Sequence, residues 1–154
     1  MKGNEKLLKV LNALLAEELT AINQYMVHTE MCENWGYSKL HTAKREQAMD
    51  EMHHAEWLIE RIIFFDGAPT VSKLNLINIG KVVPAMLSND YDSELAAVQS
   101  YNDAIKLARE VEDQGTVDLL SKILKMEEDH VDWAEVQLTQ IEQMGLEYYL
   151  ISQI

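Results

Sequence analysis

Two heptapeptides in this chain place the same reactive side chains in the same register. "EMHHAEW" covers residues 51–57 and "EEDHVDW" covers 127–133, so Glu51, His54 and Trp57 recur as Glu127, His130 and Trp133, 76 positions later. The same shift lays Glu18 on Glu94, Leu19 on Leu95, Ala21 on Ala97 and Tyr25 on Tyr101. Elsewhere the two halves match poorly, so the identities concentrate on residues that can do chemistry. On a helix, Glu-x-x-His sets a carboxylate and an imidazole on one face, about 60° apart. Oxygen and nitrogen donors without thiolates suit iron or manganese better than a closed zinc site.

These residues fall within apolar stripes. One reads Ala48, Glu51, Ala55, Leu58, Ile62 and Phe65, with His54 alongside. Another reads Leu120, Ile123, Leu124, Glu127, Val131, Ala134 and Leu138, with His130 alongside. Glu18 lies among Leu14, Leu15 and Ile22, and Glu94 among Leu87, Tyr91 and Val98. Four carboxylates are thus directed into a hydrophobic interior, where an unpaired carboxylate takes up a proton or finds a cation. No basic residue is expected at the neighbouring inward positions. Two divalent cations balance four carboxylates, and two neutral imidazoles complete the ligand set.

Four long helices must hold these groups. Helical periodicity runs from about Glu5 to Asn34, from Lys39 to Phe65, from Val82 to Glu112 and from Thr116 to Met144. Gly36 and Gly145 suit helix ends, and Pro84 suits a first turn. A short segment, "LEYYLISQI", follows. Residues 67–81 connect the second helix to the third, and about 15 extended residues reach about 50 Å at ~3.3 Å each. A helix of about 27 residues is about 40 Å long. The connection can therefore run the length of a bundle, which predicts an all-α fold of two hairpins joined by one long crossover.

The chain has 154 residues, 47% of them hydrophobic, which suits a single domain over 1–154. Its net charge of −13 argues against nucleic-acid binding and suits attraction of cations. No apolar run is long enough for a membrane helix, and the N-terminus does not read as a signal peptide. Cys32, the single cysteine, fits a reducing cytoplasm. His28, His41 and His53 read as surface residues.

The stretches "MKGN", "LTAINQYMVH", "NWG", "DEMHHAE", "ERI", "INIG", "EEDHVDW" and "MGLEYYL" resemble the ferritin-like di-iron carboxylate proteins, and within them the bacterioferritins, over nearly the whole chain. That class is a standard example of metal sites built in bundle cores. The resemblance implies a ferritin-like four-helix bundle with a short fifth C-terminal helix. It also implies iron storage and detoxification by a ferroxidase, which oxidises Fe(II) with O2 or H2O2 and stores a ferric mineral in a hollow shell. Glu18 with His54 would bind one of two irons per subunit, Glu94 with His130 the other, and Glu51 and Glu127 would bridge them. Tyr25 matches a tyrosine that can hydrogen-bond a ligand and give up an electron, and Trp133 a tryptophan implicated in radical transfer.

Met52, whose counterpart in the repeat is Glu128, matches the axial ligand of a b-type haem (iron protoporphyrin) shared between two subunits. A cytoplasmic 24-mer built from dimers, with a bacterioferritin-associated ferredoxin as partner, is implied too. The chain departs from common patterns at Leu58, where many members carry Tyr, and at Glu46, where some carry His beside an acid such as Asp50. Tyr148 and Ile151 stand where polar amides are frequent at a fourfold pore. Asn34, Asp66 and Asp132 are candidates for another channel. A non-catalytic haem-binding or shell subunit is the alternative. A rubrerythrin-type enzyme lacks its Cys-x-x-Cys pairs here, and DNA-coating mini-ferritins place the iron site between subunits.

Overall fold

In the computed structural model, which describes residues 1–154, five helices follow one another with no strand: α1 (Glu5–Asn34), α2 (Ser38–Phe64), α3 (Val83–Glu110), α4 (Gln114–Met144) and α5 (Leu146–Ser152). α1 packs along α2 and α3 along α4, and the two hairpins meet through α1 on α3 and α2 on α4. This is the expected four-helix bundle with a crossover and a short fifth helix. None of the helices is long and apolar enough to cross a membrane.

Local chemistry sets the helix ends. The Asn4 side chain accepts from the amides of Lys6 and Leu7 at 3.0 and 3.1 Å, capping α1. Gly36 (φ 80°) and Gly145 (φ 83°) take left-handed backbone after α1 and α4. α3 stops two residues short of the expected Glu112, because Glu112 itself turns to φ 59°.

Apolar packing divides into two clusters. One joins Leu7, Leu11, Leu58, Ile62, Ile105 and Leu120; the other joins Cys32, Leu40, Val83, Met86, Leu87 and Tyr149 at the opposite end. Buried polar residues occupy the layer between them on all four long helices. α5 closes the second cluster with Tyr149, fully buried, whose hydroxyl donates to Gln137 Oε1 at 2.8 Å.

The crossover has no helix of its own, yet its amides find partners. Asn12, Thr20, Gln24 and His28 on α1 accept from the backbone N–H of Thr70, Asn75, Asn78 and Gly80 at 2.7, 2.8, 3.0 and 2.9 Å. Three of these α1 positions are spaced by four, so one helix face serves as a polar rail for an extended strand of chain. Gly80 lies against the first turn of α3, where an added Cβ would sit 2.6 Å from the Ala85 carbonyl carbon. Gly80→Ala is therefore expected to destabilise the fold by about 1–3 kcal/mol through this backbone overlap. Urea denaturation checks it.

Candidate metal centre

Glu18, Glu51, His54, Glu94, Glu127 and His130 converge in the polar layer, all 7% exposed or less. Helix periodicity brings each His beside its own Glu, and the hairpin packing brings the two pairs face to face. His54 Nδ1 lies 3.0 Å from Glu51 Oε2, 3.1 Å from Glu127 Oε1 and 3.5 Å from Glu18 Oε2. His130 Nδ1 lies 3.1 Å from Glu51 Oε1, 3.3 Å from Glu127 Oε2 and 3.4 Å from Glu94 Oε1. Glu51 and Glu127 therefore each turn one oxygen toward each histidine, whereas Glu18 and Glu94 each serve one. Within each set, Glu18–Glu51–His54–Glu127 and Glu51–Glu94–Glu127–His130, the donor atoms lie within 4.8 Å of one another. Each set could hold a metal ion.

The donors also fit a cation by what they lack. Glu127 Oε2 is buried with no well-formed hydrogen bond, its nearest ring nitrogen, His130 Nδ1, lying 3.3 Å away. Burial and the charges of Glu18 and Glu94 push the Glu51 carboxyl up to about 8. Burial and the charges of Glu51, Glu18 and Glu94 raise Glu127 well above the carboxylate range. For His54 burial opposes protonation, but hydrogen bonds to Glu127, Glu18 and Glu51 outweigh it and raise the imidazole to about 12. His130 is raised in the same way by Glu127, Glu51 and Glu94. Glu18 and Glu94 are lowered, because hydrogen bonds from Glu51 and His54, and from His130 and Glu127, outweigh their burial. The raised carboxyls of Glu51 and Glu127 and the raised imidazoles of His54 and His130 thus offset the charge of Glu18 and Glu94 when no metal is bound.

The tyrosines cross between hairpins. Tyr25 donates to Glu94 Oε1, and Tyr101 donates to Glu18 Oε1. Each phenol holds the carboxylate of the opposite hairpin, and burial first, with that carboxylate's charge second, raises both phenols well above 10. The outer nitrogens of the two imidazoles differ: His130 Nε2 meets Asp50 Oδ2 at 3.0 Å, while His54 Nε2 meets the Met126 sulfur at 3.3 Å. A cavity of about 190 Å³ between α1 and α3, under Asn75 and Leu76 of the crossover, reaches this layer and has Glu17, Glu18, Glu51, Glu94 and Glu127 in its wall.

Other expectations fare unevenly. Met52 is 45% exposed, away from the centre, as are Met26 and Met49 at 53% and 39%. Leu58 is fully buried in the apolar core, Glu46 is exposed, and Asp50 is engaged with His130. Tyr148 is 72% and Ile151 65% exposed, and Asn34, Asp66 and Asp132 are exposed too. His53 is exposed and His41 half-buried.

Two readings are corrected. His28 is not a surface residue but fully buried: Nδ1 lies 2.9 Å from Asp90 Oδ1, and Nε2 accepts from Gly80 N–H, which fixes a neutral tautomer with its proton on Nδ1. And a basic side chain does point inward. Lys44, 2% exposed, pairs with Asp90 Oδ2 at 2.5 Å and donates to Gln47 Oε1 at 3.1 Å. Its place in the α2 stripe, four residues after Leu40 and four before Ala48, is the sequence signal that pointed there. With Asp90 as counter-ion the ammonium can be buried.

Residues 8–144 match the ferritin-like domain. The chain belongs to the ferritin-like family. A bacterial ferritin of Synechocystis sp. is 41% identical over 155 residues, spanning 100% of this chain and 99% of its own length. Bacterioferritins of Mycolicibacterium paratuberculosis and Brucella melitensis are each 38% identical over 149 residues, 97% of this chain and 94% and 92% of their own. Membership of the ferritin-like family, and within it likeness to bacterioferritins, supports a role in iron storage, and the buried donor sets of this ferritin-like bundle are of the kind that can hold metal ions.

Proposed function

We propose that this chain is the ferroxidase subunit of an iron-storage shell. Fe(II) is the substrate: Glu18 and His54 take one ion, Glu94 and His130 the other, and Glu51 and Glu127 bridge the pair. The observation that carries this reading is the double use of Glu51 and Glu127, each with one oxygen toward each histidine. Oxidation of two Fe(II) by O2 or H2O2 follows, favoured by the anionic oxygen donors, which stabilise Fe(III) more than Fe(II). Tyr25 keeps Glu94 oriented and is an electron donor within hydrogen-bond reach of the site. Homo-oligomerisation into a 24-mer through dimers encloses the ferric mineral in the cytoplasm, and a bacterioferritin-associated ferredoxin supplies electrons for release. Family membership and the acidic charge of −13 support this reading.

Met52 fits the thioether ligand of a haem. It is 45% exposed on α2, free for a thioether contact with a group shared with a second copy of the chain. A haem held there would supply one-electron transfer. Met52→Leu is expected to abolish the haem absorption band of protein loaded with iron protoporphyrin and to leave Fe(II) oxidation unchanged.

A stopped-flow mixing of air-saturated buffer with protein pre-loaded with two Fe(II) per chain tests the main proposal. Oxidation faster than that of free Fe(II) at the same pH supports it. Oxidation no faster than free Fe(II) favours a non-catalytic shell or haem-binding subunit.

A further inference from the structure

The buried ammonium of Lys44 has a setting that ligation of iron does not explain. Its Nζ stands 4.8 Å from the centroid of the Tyr25 ring and 5.2 Å from that of the Trp133 ring. Asp90 holds it there, itself held by Gln24 Nε2 at 2.8 Å and by His28 at 2.9 Å, and both of these side chains are tied to the crossover. A fixed cation thus sits between two oxidisable aromatics, one of them in contact with the iron-binding layer.

We infer that Lys44 is a positioning residue that decides which aromatic side chain yields an electron, sparing Trp133 and leaving Tyr25 as the donor. A cation is attracted to the face of a neutral ring. Once the ring loses an electron the attraction becomes repulsion between two positive charges, strong in a water-poor interior. An indole that loses an electron first becomes a radical cation, and Lys44 opposes that charge directly. Tyr25 escapes the penalty, because its hydroxyl already donates to Glu94. As the electron leaves, the phenolic proton passes to the carboxylate and the ring stays neutral.

The oxidant is hydrogen peroxide, reduced by one electron from Fe(II) and one from Tyr25: Fe(II) + H2O2 + Tyr–OH + Glu94–COO⁻ gives Fe(III) + 2 HO⁻ + Tyr–O• + Glu94–COOH, which leaves a neutral phenoxyl radical. The corresponding loss at Trp133, with the indole supplying the second electron and becoming a radical cation, is the one the ammonium suppresses. The inference depends on the proposed iron chemistry only for the activation of that oxidant.

Metal-free protein oxidised with a photogenerated one-electron oxidant, tris(bipyridine)ruthenium(III), tests it without iron. Phenoxyl and indolyl radicals are distinguished by electron paramagnetic resonance, and oxidised Trp133 is counted by peptide mass spectrometry. Lys44→Met with Asp90→Asn, which removes cation and counter-ion together, is expected to raise Trp133 oxidation at least about tenfold, and Lys44→Arg to leave it low. Equal Trp133 oxidation in parent and double variant overturns the inference. Tyr25→Phe gives a check that leaves the ion pair untouched: Trp133 must remain spared. A rise there would mean that competition from Tyr25, and not the charge of Lys44, protects the indole. A loss of Fe(II) oxidation in the parent would sink the ferroxidase reading and leave this result standing.

Discussion

Replacing Glu51 and Glu127 with alanine is expected to slow the oxidation of added Fe(II) by on the order of 100-fold or more. The two residues are the only carboxylates that serve both histidines. Without them each half of the site offers one carboxylate and one imidazole, too few donors to hold Fe(II), and nothing fixes two metals at a common distance. The variant should still fold. Glu18 and Glu94 remain ionised against His54 and His130, and the flanking apolar clusters are untouched. Stopped-flow oxidation, alongside circular dichroism to show retained helix, reads both halves of the expectation. Metal binding should raise the melting temperature of the parent and not of the variant, because a ligand that binds only the native state stabilises it by linkage.

The second large effect is a release of protons. In the metal-free centre His54, His130, Glu51 and Glu127 are held protonated near neutral pH, the carboxyl of Glu51 up to about 8 and His54 up to about 12. The proposed ligation needs neutral imidazoles and four carboxylates, so two Fe(II) are expected to displace about four protons per chain. The sign follows. All four groups have raised affinity for protons before metal binds, so lowering the pH favours the metal-free form and raising it toward 8 favours binding. The exchange is close to electroneutral, two divalent ions replacing four protons in a water-poor layer. Calorimetry in buffers of different ionisation enthalpy measures the count, expected at about four between pH 6 and 7.5. A release near two would mean that the carboxyls enter the complex already ionised, contrary to their burial, and a release near zero that the imidazoles are already neutral as well.

The bundle and the convergence of six donor side chains within it were readable from the chain because both rest on local signals. Glu-x-x-His needs only helix periodicity to put its donors together, and its repetition after 76 residues supplied the second half. Gly36, Gly145 and Pro84 marked helix ends for the same reason. The groups that went unread depend on partners distant along the chain. His28 is buried because Asp90, 62 residues away, takes one ring nitrogen and Gly80 the other. Lys44 is hidden from a sequence reading because a lysine is ordinarily a surface residue, and its counter-ion lies on another helix. The crossed bonds from Tyr25 to Glu94 and Tyr101 to Glu18 exist only once the hairpins have docked. The rail of Asn12, Thr20, Gln24 and His28 did leave a trace, a spacing of four in its last three members, but a polar face on a helix ordinarily means solvent.

Anaerobic titration of the metal-free protein with Fe(II), followed by calorimetry, tests the central claim most directly. Saturation at two Fe(II) per chain, absent in the Glu51→Ala, Glu127→Ala variant, is the predicted result. A titration with no stoichiometric break, or one that the double variant reproduces, would contradict the claim that these six side chains form an iron-binding centre.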